Sequence, residues 1–464
     1  MNPSTLLKTS AALLAASALS GCMQLAPRYE RPAAPVPATF PNATSVPSGT
    51  AAADLTWQDY FADPALRDVI ELALKNNRDL RIAMLNIDAV RTQYQLRRAD
   101  QLPTVNAGLT ASRAPGSSGN NVSAYSAGLS VAAYEVDLFG RVRSLTDSAA
   151  AQVLASEESR RVVQISLIAS VANQYLALAA DEELLDLTLR TLDTREQSLK
   201  LTQLRFDNGA ASELDLRQAQ TLAEAARVTL AQQRRQRELD RNALALLLGQ
   251  ALPEWPSAPG RVSAIALADV PAGVPSEVLL RRPDVAQAEQ QLVAANANIG
   301  AARAAFWPRI TLTASAGTAS TQLSDLFKDG AWSFAAQLLQ PIFDAGRNRA
   351  NLAVAEVQRD IAVAQYERAI QAAFRDVADA LAGRATLDDQ VRATQAQADA
   401  EQARYSLSEL RFRNGVSSSL ELLDAERSLF AVQQAVVQTQ LALLQNRVST
   451  YRALGGGNLG AAGQ

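Results

Sequence analysis

The segment LRFDNG at Leu204 to Gly209 returns as LRFRNG at Leu410 to Gly415, a shift of 206 residues. The same shift carries Gly140-Arg141 onto Gly346-Arg347, Arg143 onto Arg349, and Leu248-Gly249 onto Leu454-Gly455. One residue fewer carries Pro103 onto Pro308 and Asp79 onto Asp284. Matches at such distant points with nearly one offset make the chain two tandem copies of a unit of about 200 residues, too long a period for a solenoid.

Proline marks the boundaries. Pro27, Pro32, Pro35, Pro37, Pro41 and Pro47 crowd an extended arm, and Pro253 to Pro283 separates two long blocks. No proline lies between Pro115 and Pro253 or after Pro341, and both blocks are rich in Ala, Leu, Gln, Arg and Glu. Each copy reads as helix, two strands, very long helix, medium helix. The first helix is expected over about Pro64 to Gln101, with Leu80, Ala83, Ile87, Val90 and Tyr94 at helical spacing, and its counterpart over Ser276 to Phe306. The long helices are expected over Arg141 to Phe206 and Arg347 to Phe412. At ~1.5 Å per residue each reaches on the order of 100 Å. Asn208-Gly209 and Asn414-Gly415 end them, glycine suiting a left-handed cap.

The strands are expected over 103–113 and 122–137 in the first copy, and over 308–318 and 331–342 in the second. Val105, Ala107 and Leu109 alternate with polar or small residues, as do Ile310, Leu312 and Ala314; Trp332, Phe334, Ala336 and Leu338 share one face. Such lengths suit membrane-barrel strands. Phe139, Phe306, Trp307 and Phe343 fall where helix meets strand, as an interfacial girdle does. Past the N-terminal signal no run approaches 18 consecutive apolar residues, so any crossing of a membrane must be by a closed barrel. Four strands cannot close one. Several protomers must pool them, two giving eight and three giving twelve, or else the strands form a soluble sheet.

Composition narrows function. The chain has 464 residues, no histidine, one cysteine and a net charge of −3. Imidazole catalysis, histidine zinc sites, internal disulfides and an electrostatic footprint for nucleic acid are thereby excluded. No enzymatic activity and no cofactor are expected. Lys8, the apolar run Ala11 to Leu19 and then Leu19-Ser20-Gly21-Cys22 form a bacterial lipoprotein signal whose sole cysteine accepts the lipid. The expected division is a signal over 1–21, a lipidated arm over 22–62, repeat 1 over 63–249, a linker over 250–275, repeat 2 over 276–457 and a tail over 458–464.

These features, with LLDAERSLF (Leu422 to Phe430) and YRALGGG (Tyr451 to Gly457), resemble the outer-membrane efflux channel family typified by TolC, in its lipoprotein branch typified by OprM. The resemblance covers nearly all of the mature chain. It implies an α+β membrane protein whose homotrimer joins a 12-stranded β-barrel to a 12-helix periplasmic α-barrel. It also implies a passive exit duct for antibiotics and other toxic compounds, working with a periplasmic adaptor and an inner-membrane proton-driven pump. The competing reading is a lipid-anchored periplasmic coiled-coil spacer or adaptor without a membrane barrel.

Glu421 and Asp424 are three apart, hence on one helix face, and three converging copies would make acidic rings that favour cations. By resemblance Asp424 is the aperture aspartate, Glu421 a second acid, Leu420 a constricting hydrophobe, and Arg427 and Arg411 hold the tip closed. Phe412 stands where many relatives have tyrosine. Arg205, Asp207 and Asp215 are expected to form tip salt links with Arg411 and Arg413. The turns Asn208, Gly209, Asn414 and Gly415 are expected to touch the adaptor.

Overall fold

The computed structural model describes residues 24–41, 55–115, 119–252, 261–269 and 276–456. Cys22, the signal over 1–21 and the tail over 458–464 lie outside the described residues. The order is α1 (Trp57–Tyr60), α2 (Pro64–Asn76), α3 (Arg78–Ala99), β1 (Val105–Pro115), β2 (Asn121–Val136), α4 (Arg141–Asp207) and α5 (Glu213–Leu248). It continues with α6 (Pro283–Ala304), β3 (Arg309–Ser320), β4 (Gly330–Leu339), α7 (Arg347–Arg413) and α8 (Ser419–Ala453). Both α4 and α7 have 67 residues.

The chain forms two compact units. In one, the described residues fall within Met1–Ala34, Leu85–Glu158 and Ala286–Ala369. It holds the sheet, an antiparallel meander in the order β1-β2-β3-β4. Its register aligns Val105, Val131, Ala314 and Phe334 across all four strands, and likewise Ala107, Leu129, Ala316 and Trp332. The intervening row is Asn106, Ser130, Ser315 and Ser333, with Ser315 and Ser333 hydroxyls 2.7 Å apart. One face is therefore apolar and the other polar. The apolar face is uncovered in the protomer: Val105, Leu109, Leu129, Trp332, Phe334 and Leu338 are all exposed. Where the strands meet α4, a bulge between Val131 and Tyr134 leaves Ala133 at φ 53°. It lies beside Glu135, which accepts two 2.7 Å hydrogen bonds from Arg141 and one ion pair at 2.6 Å from Arg309. Phe139 stacks on Trp307 at 5.0 Å. Residues 24–31 lie along α6: Asn296 donates to the Pro27 carbonyl, and Tyr29 and Arg31 donate to Glu289.

The other unit falls within Pro35–Met84, Ser159–Val285 and Ile370–Gln464. Its α4 segment is the one described helix apolar enough by composition to cross a membrane, with an 18-residue window of mean hydropathy 1.5, 56% buried inside the chain. Leu167, Ile168, Val171, Ala172, Tyr175, Leu176 and Leu178 do the burying, so this is a core helix.

Three expectations change. The helix over Pro64 to Gln101 breaks at Asn77, which is extended (ψ 134°), caps Leu80 N–H with its carbonyl oxygen and donates its amide to the Leu247 carbonyl. Its counterpart begins at Pro283, after a 3₁₀ turn over Ser276–Arg281. Residues 55–62 are not arm: Trp57, Tyr60 and Phe61 are buried, and Tyr60 stacks on Tyr451 at 3.9 Å. These large rings reach core that an extended arm leaves in water.

Gly128 and Gly317 face each other across the β2–β3 pairing that joins the repeats, and a Cβ on Gly317 would stand 2.1 Å from the Ala127 carbonyl oxygen. Gly317→Val is expected to destabilise the sheet by about 3 kcal/mol or more, read as loss of a heat-resistant folded species on gels. Asp181 on α4 is buried, and burial first, then the Asp240 carboxyl beside it, raises it to about 8. The raised value means stability is full below the ordinary 3.8 and is lost as pH rises through about 8. Between about pH 6 and pH 9 the melting temperature should fall, and Asp181→Asn should flatten that dependence.

Candidate functional site

The two helix turns of the second unit are built alike. The Asn208 side chain donates to the Leu204 carbonyl at 2.7 Å, and Asn414 to Leu410 at 2.8 Å. Ala210 N–H reaches back to the Arg205 carbonyl and Val416 N–H to Arg411, satisfying helix-end carbonyls across Gly209 (φ 74°) and Gly415 (φ 70°). Left-handed backbone at these two positions explains why the duplication keeps glycine there. The following helices start differently. Ser212 and Asp215 form a reciprocal capping box on α5, whereas the Ser418 side chain makes no cap on α8.

The acids at the start of α8 are held by arginines. Asp424 meets Arg427 at 2.6 Å on its own helix and Arg404 of α7 at 3.2 Å. Arg404 also donates to the Asp424 carbonyl at 3.4 Å and pairs with Glu401 at 2.7 Å. Glu421 lies 3.6 Å from Arg411. Leu420 is 59% exposed. The face is thus a balanced set of three acids and three arginines rather than a bare acidic surface. Every pair in it is partly exposed, and such pairs contribute about 0–1 kcal/mol each.

The expected tip salt links do not form among the described residues. Asp215 is occupied by its capping box and by the Ser419 hydroxyl, which donates to it across the repeats. Those hydroxyls hold its carboxyl below the ordinary range, Ser212 first and then Ser419. Asp207 accepts from Gln203 at 2.8 Å, and Arg413 pairs with Glu409 one turn back at 2.5 Å. Partners on the same helix are nearer than those on the other hairpin, so they win. Arg205 does cross the repeats, but as a cation over the Phe412 ring at 5.1 Å. A tyrosine hydroxyl is not needed for that contact.

Two groups escaped the reading of the sequence. Arg404 was legible: seven residues before Arg411, it lies two turns back on one face of α7, where an antiparallel neighbour presents Asp424 beyond Glu421. Arg195 was not. It lies 231 residues from its partner Glu426, pairs with it at 3.0 Å, donates to the Leu222 carbonyl at 3.1 Å and sits 5.1 Å above the Phe430 ring. Both charges are buried, with side chains 4% and 9% exposed. Burial pushes the Glu426 carboxyl up, against the pull of Arg195. Removing one member of a buried pair typically destabilises by about 3–5 kcal/mol. Arg195→Ala should therefore destabilise the purified protein by about that amount in denaturant melts, while Arg404→Ala should cost about 1 kcal/mol or less.

The sequence profile described as outer membrane efflux protein matches residues 69–250 and 274–456. The toluene efflux pump outer membrane protein TtgC of Pseudomonas putida is 47% identical over 460 residues, covering 96% of this chain and 95% of that one. Outer membrane protein OprJ of Pseudomonas aeruginosa is 46% identical over 461 residues, covering 96% and 95%. Among solved structures, the open state of the Neisseria gonorrhoeae MtrE outer membrane channel superposes with a TM-score of 0.87 at 43% identity, covering 94% of this chain and 98% of that one.

Proposed function

The chain belongs to the outer membrane efflux protein family, and on that footing we propose that it is the outer-membrane duct of a tripartite efflux assembly, gated at the paired turns. TtgC is described as an efflux pump outer membrane protein and MtrE as an outer membrane channel, and neither description is enzymatic. The observation that carries the proposal is the open-edged sheet. Among the described residues β1 and β4 each pair on one side only, and nothing covers the apolar face of the meander. In a bilayer an unpaired edge is untenable, so β4 of one copy pairs with β1 of the next until the ring closes. Three copies close at twelve strands, with the polar face of Asn106, Ser130, Ser315 and Ser333 lining water. The spacer alternative leaves that apolar face without a cover.

The duct delivers antibiotics, solvents and other toxic compounds handed over by a proton-driven inner-membrane pump through a periplasmic adaptor. Selectivity then lies upstream, and this chain needs no cofactor. Cys22 carries the lipid. The arm following it is fastened to the same compact unit as the strands, by Gln24 to Asp147 and Asn296 to Pro27, which supports anchoring beside the barrel. The turns at Asn208-Gly209 and Asn414-Gly415 are the adaptor's contact surface.

At the gate, Leu420 constricts and Asp424 is the shared acceptor for Arg427 and Arg404. Contacts this exposed suit an aperture that opens, because each breaks at small expense. Purified in detergent, the protein should have the mass of three chains and conduct in a planar bilayer. Asp424→Ala removes the acid that Arg427 and Arg404 share, so conductance should rise about twofold or more and cation preference should fall. Arg427→Glu should raise conductance and cation preference together. A monomeric, electrically silent protein would defeat the duct, and unchanged conductance and selectivity in both variants would defeat the gate.

A further inference from the structure

We propose that the buried Arg195–Glu426 pair is the fulcrum of the gate, the level below which the α4–α5 hairpin tip swings against α8 and above which the helices stay packed. The inference rests on the gate reading and adds the place where motion stops. One guanidinium ties three helices from both repeats: Arg195 on α4 bonds Glu426 on α8 and the Leu222 carbonyl on α5, and covers Phe430 on α8. Around it the packing is dense and small-stepped. Ala219, Ala223 and Ala226 are buried on α5, and Ala425, Leu429 and Phe430 on α8.

Beyond this level α4 leaves the packing, while Leu216 on α5 and Leu423 on α8 stay buried. Arg195 is the last buried residue of α4, and none from Glu196 to Asp207 is buried within the protomer. That stretch extends about 18 Å past the fulcrum, so a rotation of about 15° carries the turn roughly 5 Å. The contacts that cross between the repeats there include the Asp215–Ser419 hydrogen bond and Arg205 over Phe412. Both sit at the far end of the lever, where a small rotation separates them. The buried pair instead sits on the axis, where rotation moves its atoms least. Asp424 is two residues from Glu426 on the same helix, so a fixed Glu426 holds the aperture acid in register with Arg404.

The test uses full-length channels in planar bilayers. Glu426→Gln conserves volume but weakens the tie, and should raise resting conductance about twofold or more while leaving cation preference intact, since Asp424 and Glu421 remain. A tip disulfide, Asp215→Cys with Ser419→Cys, should return the conductance of the Glu426→Gln channel to the wild-type level when oxidised and release it on reduction. A role in stability alone predicts a lowered melting temperature that the tip disulfide does not couple to conductance. Wild-type conductance in Glu426→Gln, or an excess that the oxidised tip disulfide does not suppress, overturns the fulcrum. Should Glu426→Gln not assemble, Glu426→Asp is read in the same way, against the same two outcomes. Asp424→Ala is measured alongside. If it alone changes conductance and selectivity, the gate stands and the fulcrum falls; if it changes neither, the gate reading itself fails.

Discussion

Backbone hydrogen bonding at the edges of one small sheet governs this molecule. Four strands in a meander satisfy three seams and leave two edges open, on β1 and β4. Water would tolerate those edges, whereas hydrocarbon does not. The register places Val105, Val131, Ala314 and Phe334 together on one face and Asn106, Ser130, Ser315 and Ser333 together on the other. A sheet with a dry face and a wet face, and with both edges unmet among the described residues, is built to be continued at its edges. The duplication supplies the means: β2 and β3 pair across the repeats through Gly128 and Gly317, where side chains would hold the backbones apart.

The same duplication produces two kinds of electrostatics in the helical unit. Near the turns, the charged pairs are partly exposed, local and exchangeable, as with Asp424 between Arg404 and Arg427. Deeper, Arg195 and Glu426 are desolvated and tied to three helices. The energetic gap between these classes is about 0–1 against about 3–5 kcal/mol, so the exposed pairs are the ones that separate at small expense. Asp181 follows a third course: burial beside Asp240 keeps it protonated near neutral pH, so no charge is buried there.

Much of the architecture was readable beforehand. The strands lie within a few residues of their expected places, and the long helices end at the Asn-Gly turns, because period-2 alternation and glycine caps are local signals. The break at Asn77 was missed because its cause is not local: the side chain bonds a carbonyl 170 residues away. Nothing near residues 55–62 in the chain discloses that Tyr451 stacks on Tyr60 and meets Phe61 edge-on, so the sequence alone places them in the arm. Glu421 and Asp424 share a helix face by spacing alone, but the pairing of Asp424 with Arg404 depends on how α7 meets α8.

The amino-acid order alone determined the repeat, the helix and strand sequence, the turn glycines and the exclusion of imidazole chemistry, since each depends on neighbours within a turn or on residue types absent altogether. Tertiary structure decided which charges meet. Asp215 turned to Ser419, Arg205 to Phe412 and Arg195 to Glu426. The physical reason is that an ion pair depends on a separation of a few ångströms and on the loss of water around it. Both are properties of packed helices, and neither can be counted along a chain.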